Sequence, residues 1–291
     1  MQFVNLTLTG ISNGMIYAAV ALALVLIWRA TRIINFAQGA MLMFTTFVAK
    51  AVIDQTGSYW WGFVAALACG FAFGAFVELV IVRPVENKPP LNAVIVTLGL
   101  LILIQAGAGM LFGVTPESFP PAFGIRGYVL DGQRLLFTST DLFIVLSILG
   151  LALVLLLLFR GTTLGLQMRA SAFEPEVARM LGVRVGWMLT LGWGLAAVAG
   201  ALAGVLIAPQ VFLGPYQFDP FLVYGFTAAV IGGLDSPVGS VVGGLILGLT
   251  LSYLSGYVDN SLVGLGALAA LIVVLMARPE GLFTRTAARK V

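Results

Sequence analysis

The sequence predicts an all-α polytopic membrane protein with about nine transmembrane helices, within a range of eight to ten. Of its 291 residues, 60% are hydrophobic and only 9% are charged, whereas a soluble domain carries about 25% charged residues. The mean hydropathy of +1.06 indicates the same class. The few charges are also spaced so that long uncharged windows lie between them. We expect one transmembrane domain over residues 1–291.

The uncharged windows give the expected number of spans. A membrane-spanning helix needs about 20 mostly apolar residues. Nine windows come close to that length or exceed it: 1–28, 33–49, 55–77, 89–116, 142–159, 185–218, 220–234, 236–258 and 260–277. Each window is therefore assigned one helix.

The basic residues predict the orientation, because loops on the cytoplasmic side are enriched in Lys and Arg. With nine spans and the N-terminus outside, the outer side holds only Lys50, Arg126 and Arg134. The cytoplasmic side holds the other twelve: Arg29, Arg32, Arg83, Lys88, Arg160, Arg169, Arg179, Arg184, Arg278, Arg285, Arg289 and Lys290. The bias of twelve to three favours an outer N-terminus and a cytoplasmic C-terminus.

Two of the windows, 33–49 and 220–234, are short, and each adjoins a polar, glycine-containing motif. The motifs are RIINFAQGAM at 32–41 and GGLDSPVGSV at 232–241. Transporters often line their pathways with interrupted helices in corresponding halves of the chain. The motifs are therefore candidates for the translocation path, through Asn35, Gln38, Gly39, Asp235, Ser236 and Gly239. Two ordinary turns at the membrane surface are the alternative.

Small residues repeat at four-residue spacing in two other windows. Ala196, Gly200 and Gly204 form one series, and Gly239, Gly243 or Gly244, and Gly248 form the other. Such series allow helix backbones to approach closely in lipid. They predict tight packing within one bundle in preference to a dimer seam.

The longest cytoplasmic loop, 160–186, contains a short predicted helix from Glu174 to Gly182. Pro175 suits a first helical turn, and Glu174 and Glu176 lie where the helix dipole favours negative charge. The apolar face consists of Val177, Met180 and Leu181, with Arg179 on the polar side, and Gly182 is placed to end the helix. Two turns are too short to be stable alone. The apolar face is expected to lie either on the membrane or its own bundle, or in a groove of a soluble partner.

Several kinds of site are absent from the sequence. There is no His and one Cys, Cys69. The chain therefore lacks the usual ligands of a zinc or heme site, and Ser–His and Cys–His catalysis are excluded. No phosphate-binding GxxxxGK[ST] loop is present, so the chain has no ATP site of that kind. The windows have no charge at their centres, which argues against a proton-coupled carrier. We expect a protein that is not an enzyme and has no cofactor or metal of its own.

Three motifs resemble the inner-membrane permease subunits of ABC importers and, within them, the branched-chain amino acid permease family. They are INFAQGAM at 34–41, LGLQMRASAFEPEVARMLGV at 164–183 and GGLDSPVGSVVGGLILG at 232–248. The second is similar to the family's cytoplasmic coupling segment, although it reads Arg-Ala-Ser-Ala-Phe-Glu where the common permease pattern opens Glu-Ala-Ala. The resemblance extends from Gly10 to Leu282.

The resemblance implies partners that this chain lacks. They are a second homologous permease chain or a second copy of this one, two cytoplasmic ATPase subunits that bind ATP and Mg, and an extracytoplasmic substrate-binding protein. It implies a multi-pass protein of the bacterial inner membrane that transports branched-chain amino acids or a similar small polar solute by alternating access. In that case residues 174–182 are the coupling helix. The alternatives are a secondary carrier or a channel for a small neutral solute such as urea or amides.

Overall fold

The computed structural model describes residues 2–85, 88–124, 127–130, 133–278 and 280–283. Arg126, Arg285, Arg289 and Lys290, which entered the orientation prediction, lie outside the described residues. Within the described ranges, seven helices are long and apolar enough to cross a membrane, and the protein is an all-α polytopic membrane protein.

The helices in chain order begin with α1 (Gln2–Thr31), α2 (Gln38–Thr56), α3 (Tyr59–Val77) and α4 (Pro90–Phe112). A π-helical turn (Glu78–Val82) and a 3-10 turn (Arg83–Val85) continue α3. A hairpin of β1 (Gly127–Leu130) and β2 (Gln133–Thr138) follows α4 and was not predicted. The chain continues with α5 (Ser139–Gly161), α6 (Thr163–Phe173), α7 (Pro175–Met180), α8 (Val185–Ile207), α9 (Asp219–Gly232), α10 (Pro237–Tyr257) and α11 (Val263–Ala277).

The two short windows became α2 and α9, and neither is among the seven candidate spans. Helix α9 has 14 residues, which is about 21 Å at 1.5 Å per residue and less than the hydrocarbon thickness of about 30 Å. The two shortest windows therefore do not form the full spans that the sequence predicted for them.

Helices α1 and α8 form the centre of the bundle, and their side chains are buried over most of their length. Helix α1 packs against α8, α9 and α10, and α8 also packs against α2 and α3. Helices α4, α5 and α11 lie at the periphery with most of their surface exposed. An apolar exposed surface of this kind suits contact with lipid.

Glycines set the closest helix contacts, as the small-residue series predicted. A Cβ at Gly244 or Gly248 would lie less than 3 Å from backbone atoms of Gly14 on α1. A Cβ at Gly204 would lie 2.7 Å from the carbonyl oxygen of Leu42 on α2. Both series pack inside one bundle, so that prediction is confirmed.

Polar contacts between distant segments join residues that the predicted topology places on the same side. On the predicted outer side, Ser12 donates to Asp141 at 2.7 Å and Lys50 lies 3.8 Å from Glu117. On the predicted inner side, Arg32 pairs with Asp235. These contacts agree with an alternating chain path, while the orientation itself stays a prediction.

Candidate functional site

The first predicted path motif folds into a short buried loop that leads into α2. Asn35 accepts a hydrogen bond from the Ala37 backbone N–H at 3.0 Å, and its amide donates to Gln38 Oε1 at 3.1 Å. Both side chains are fully buried. The loop after α1 therefore has internal hydrogen-bond partners, which irregular backbone requires when it lies at membrane depth.

Helix α2 begins about halfway along the bundle. The amide of Gln38 donates to the carbonyl oxygen of Ala196 at 3.5 Å, and Ala196 is the middle residue of α8. At 1.5 Å per residue, each end of α8 is about 16 Å away. Residues Gln38 and Gly39 are therefore interior residues of the bundle, which favours the path candidate over a turn at the membrane surface for this part of the motif.

Helix α9 begins beside the start of α2. A Cβ at Gly39 would lie 3.2 Å from the Cβ of Leu222, which is one turn after Asp219, the first residue of α9. Glycine at position 39 is what permits this approach. Two helices thus have their N-termini close together inside the bundle.

The partly buried Asp219 side chain meets α4 about two turns before the end of that helix. Gln105 donates from Nε2 to Asp219 Oδ1 at 2.8 Å, and Gln105 is 7% exposed. Gln105 lies seven residues before the end of α4 at Phe112, which is about 10 Å of helix. We name Gln38, Gly39, Gln105, Asp219 and Leu222 the mid-span junction.

The second predicted motif lies elsewhere. Ser236 caps α10 by accepting from the Gly239 N–H at 2.9 Å, and a Cβ at Gly239 would lie 2.2 Å from the carbonyl oxygen of Gly232, the last residue of α9. Asp235 pairs with Arg32 at 2.5 Å, and both side chains are about half exposed. Arg32 has a left-handed φ of 57°.

The six predicted path residues therefore do not form one cluster. Asn35, Gln38 and Gly39 lie at or beside the mid-span junction. Asp235, Ser236 and Gly239 lie one α9 length away, at the other end of that helix. The Arg32–Asp235 ion pair connects the two motifs. Arg32 was not among the six predicted path residues.

The short helix predicted at 174–182 is present in a shorter form, as α7, while its coupling role stays a prediction. It covers Pro175–Met180, with Glu174 as its N-cap and Pro175 in the first turn. Gly182 has a φ of 83° and donates to the Arg179 carbonyl oxygen at 3.0 Å, so it ends the helix as predicted. The loop 160–186 also contains α6, a separate helix of 11 residues that was not predicted.

Helix α7 buries one of its residues, Ala178, and exposes its larger apolar side chains. Ala178 is buried against Val185 and Leu189. The exposed fraction is 46% for Val177, 79% for Met180 and 78% for Leu181. Phe173, at the end of α6, is 80% exposed and adds to the same segment. We name Phe173, Val177, Met180 and Leu181 the apolar segment, and none of them belongs to the buried core.

An ion pair with a buried carboxylate and a 39% exposed arginine joins the end of α3 to the start of α8. Arg83 donates to both carboxylate oxygens of Glu78, at 3.0 and 2.9 Å, and to the Gly186 carbonyl oxygen at 2.9 Å. Thr190 also donates to Glu78 at 2.7 Å. Because Glu78 is only 1% exposed, this clamp is a rigid link between α3 and the helix that directly follows α7.

Sequence reasoning missed Gln105, Asp219 and Phe173. Gln105 was detectable as a side-chain amide inside the uncharged window 89–116. Asp219 was assigned to the edge of a short window, because the sequence does not show that α9 begins inside the bundle. Phe173 was detectable as a large apolar residue in a charged loop.

Comparisons with known proteins agree with one another. The family model described as the permease component of branched-chain amino acid transport systems matches residues 6–277. The high-affinity branched-chain amino acid transport system permease protein LivH of Escherichia coli is 30% identical over 100% of this chain and 98% of its own length. BraD of Pseudomonas aeruginosa, a permease protein of the same description, is 27% identical over 100% of this chain and 97% of its own. No solved structure matches the chain.

Proposed function

The chain belongs to the family of branched-chain amino acid transport system permease components, and we propose that it moves branched-chain amino acids or a similar small polar solute by alternating access. It is the permease subunit of an ABC importer and a multi-pass protein of the inner membrane. It is a transport subunit and not an enzyme, since ATP hydrolysis in this family belongs to separate subunits.

The observation that carries the mechanism is the exposed apolar segment. A helix of six residues is too short to be stable alone in water, and Ala178 is the one residue that this helix buries. Large exposed apolar side chains clustered on one element mark an interaction site. We assign the segment to docking in a groove of a cytoplasmic ATPase subunit.

Motion of the ATPase reaches the bundle through α7 and α8. Four residues separate α7 from α8, and the Glu78–Arg83 clamp fixes the start of α8 to the end of α3. A displacement of α7 is therefore expected to move α8 and α3 together. Since α8 also contacts Gln38 at mid-height, the same displacement acts on the mid-span junction.

The mid-span junction is the proposed place where the solute crosses the middle of the membrane. Transporters place solute sites near the midplane, where discontinuous helices bring their N-termini together. The starts of α2 and α9 have this arrangement. Two ATPase subunits that bind ATP and Mg, a second permease chain or a second copy of this one, and an extracytoplasmic binding protein complete the proposed importer. This chain itself then needs no cofactor.

Replacing Met180 and Leu181 by Asp tests the docking role. Truncating a buried interface anchor often costs about 2 kcal/mol or more of binding free energy, and a buried charge adds to that cost. We expect the double variant to insert normally, to lose its co-purifying ATPase subunits and to lose uptake in vesicles.

The matched control is Val114→Asp, an apolar-to-acidic change at a residue that is 69% exposed on the predicted outer side. It is expected to retain both the ATPase subunits and uptake. If the Met180→Asp, Leu181→Asp variant also retains both, the segment is a surface element and the docking proposal is wrong.

The proposed orientation, with the N-terminus outside and the C-terminus in the cytoplasm, has its own test. A reporter enzyme that is active only outside the cytoplasm is fused after Val291 in one strain and after Val114 in another. We expect no activity after Val291 and activity after Val114. The reverse pattern would invert the topology and place the apolar segment on the wrong side for an ATPase.

A further inference from the structure

The Asp219 carboxylate differs from the other acidic groups near the bundle interior. Glu78 is paired with Arg83, and Asp141 accepts bonds from Ser12 and from the Thr138 N–H and hydroxyl. Among the described residues, Asp219 forms no ion pair and has one hydrogen-bond donor, Gln105. Asp219 is partly buried, and a carboxylate within a membrane-spanning bundle that has no cation partner usually marks a solute or ion pathway.

The bond from Gln105 leaves acceptors free. Neither Asp219 Oδ2 nor Gln105 Oε1 accepts a hydrogen bond from any of the described residues. A primary ammonium group carries three N–H donors and no acceptor. The two hydrogen-bonded side chains therefore each keep an oxygen acceptor of the kind that an ammonium group requires.

The first turn of α9 does not take the place of a cation partner for Asp219. A helix N-terminus stabilises a nearby carboxylate, but it supplies no donor to Oδ2 here. With Asp219 on the terminus, the site has a negative group facing α4. It is suited to a cation and not to an anion.

We propose that Asp219, oriented by Gln105, binds the ammonium group of the transported solute at the mid-span junction. The proposal rests on the function proposed above and deepens it, because it assigns a solute-binding residue in this chain. The solute class is a small molecule with a primary ammonium group, as in an α-amino acid. Gln105 is a positioning residue that holds Asp219 towards α4.

The test uses the complete importer in proteoliposomes, with leucine as the probe and with leucine uptake and ATP hydrolysis measured together. Asp219→Asn removes the charge and keeps the shape. Since hydrogen bonds to charged groups are the stronger ones, we expect uptake to fall by about tenfold or more, while ATP hydrolysis stimulated by the binding protein persists. Asp219→Glu should restore part of the uptake.

The matched control is Asp54→Asn, which makes the same change at an exposed aspartate of α2 that pairs with Lys50. It should transport leucine at the unaltered rate. Unaltered uptake by Asp219→Asn would overturn the proposal. A wild-type importer that takes up no leucine would instead contradict the proposed transport of branched-chain amino acids, so the two failures are distinguishable.

A second measurement keeps the proposal testable if the Asp219 variants fail to assemble. A hydrophobic carbodiimide modifies buried carboxyl groups, and mass spectrometry of the wild-type importer measures the modified fraction of Asp219. We expect leucine during turnover to slow the modification severalfold. An equal rate with and without leucine would overturn the proposal.

Discussion

The mid-span junction and the apolar segment have opposite distributions of polarity. In the junction, the polar side chains of Gln38 and Gln105 are buried. In the segment, Phe173 and Met180 are largely exposed. Each region departs from the ordinary rule that apolar groups are inside and polar groups outside. Departures from local rules concentrate at functional sites, and these two have different physical reasons.

Gln38 can stay buried in the junction because it has hydrogen-bond partners on both sides. Asn35, Gln38 and Ala196 form a connected set of hydrogen bonds, and a buried polar group is costly only when it lacks a partner. The segment has no such internal compensation. Its apolar side chains are exposed in this chain and become buried only when a partner covers them. We therefore expect substitutions in the junction to lower the stability of the fold, and substitutions in the apolar segment to weaken association with a partner.

The clamp that links the two regions should show the largest effect on stability. Replacing Arg83 by Met leaves the buried Glu78 carboxylate with Thr190 as its donor. Loss of one partner of a buried pair typically costs about 3–5 kcal/mol, and we expect the lower end of that range because Arg83 is 39% exposed. Thermal unfolding in detergent measures the loss. The double variant Glu78→Leu, Arg83→Met removes both charges and should recover most of it. No recovery would mean that the clamp acts through its bonds to Gly186 and Thr190 instead.

Packing beside the junction should show the next largest effect. A side chain at Gly204 would meet the Leu42 carbonyl oxygen and the Thr46 hydroxyl, 2.7 and 2.3 Å from its Cβ. Gly204→Val should therefore destabilise by about 3 kcal/mol, at the upper end for overpacking. Gly150→Val is the matched control, because nothing lies within 4 Å of a Cβ there. Equal unfolding temperatures for both variants would contradict the proposed close contact.

Loss of one buried hydrogen-bonding group should cost less. Asn35→Ala leaves the Ala37 N–H and Gln38 Oε1 without this partner, for which about 2 kcal/mol is typical. Asn260→Ala removes an amide at an exposed position and should cost under about 0.5 kcal/mol. Equal unfolding temperatures for the two variants would show that the buried Asn35 amide contributes no more to stability than the exposed Asn260 amide.

The apolar segment should show the smallest effect on stability. Phe173→Ser alters a side chain that is 80% exposed, and surface substitutions usually change stability by less than about 0.5 kcal/mol. Its association with the ATPase subunits should nevertheless weaken, as measured by the amount that co-purifies. A stability loss without a change in association would show that Phe173 packs within this chain.

The sequence alone determined the membrane class and the position of the helix end at Gly182. Hydropathy and charge spacing act over about 20 residues, so they depend little on tertiary contacts. A glycine that ends a helix is likewise a local feature. The small-residue series also predicted internal packing correctly, because close backbone approach requires small side chains wherever the partner helix lies.

Tertiary structure decided where the short helices begin. The uncharged windows 33–49 and 220–234 gave their lengths, but not that the start of α2 lies against the middle of α8 or that Gly39 meets Leu222. For the same reason the sequence grouped Asn35 with Asp235 and left out Gln105 and Asp219. Gln105 and Asp219 are more than 100 residues apart in the chain. Only the packing of α4 and α9 brings the Gln105 amide to the Asp219 carboxylate, which the sequence placed at the edge of a window.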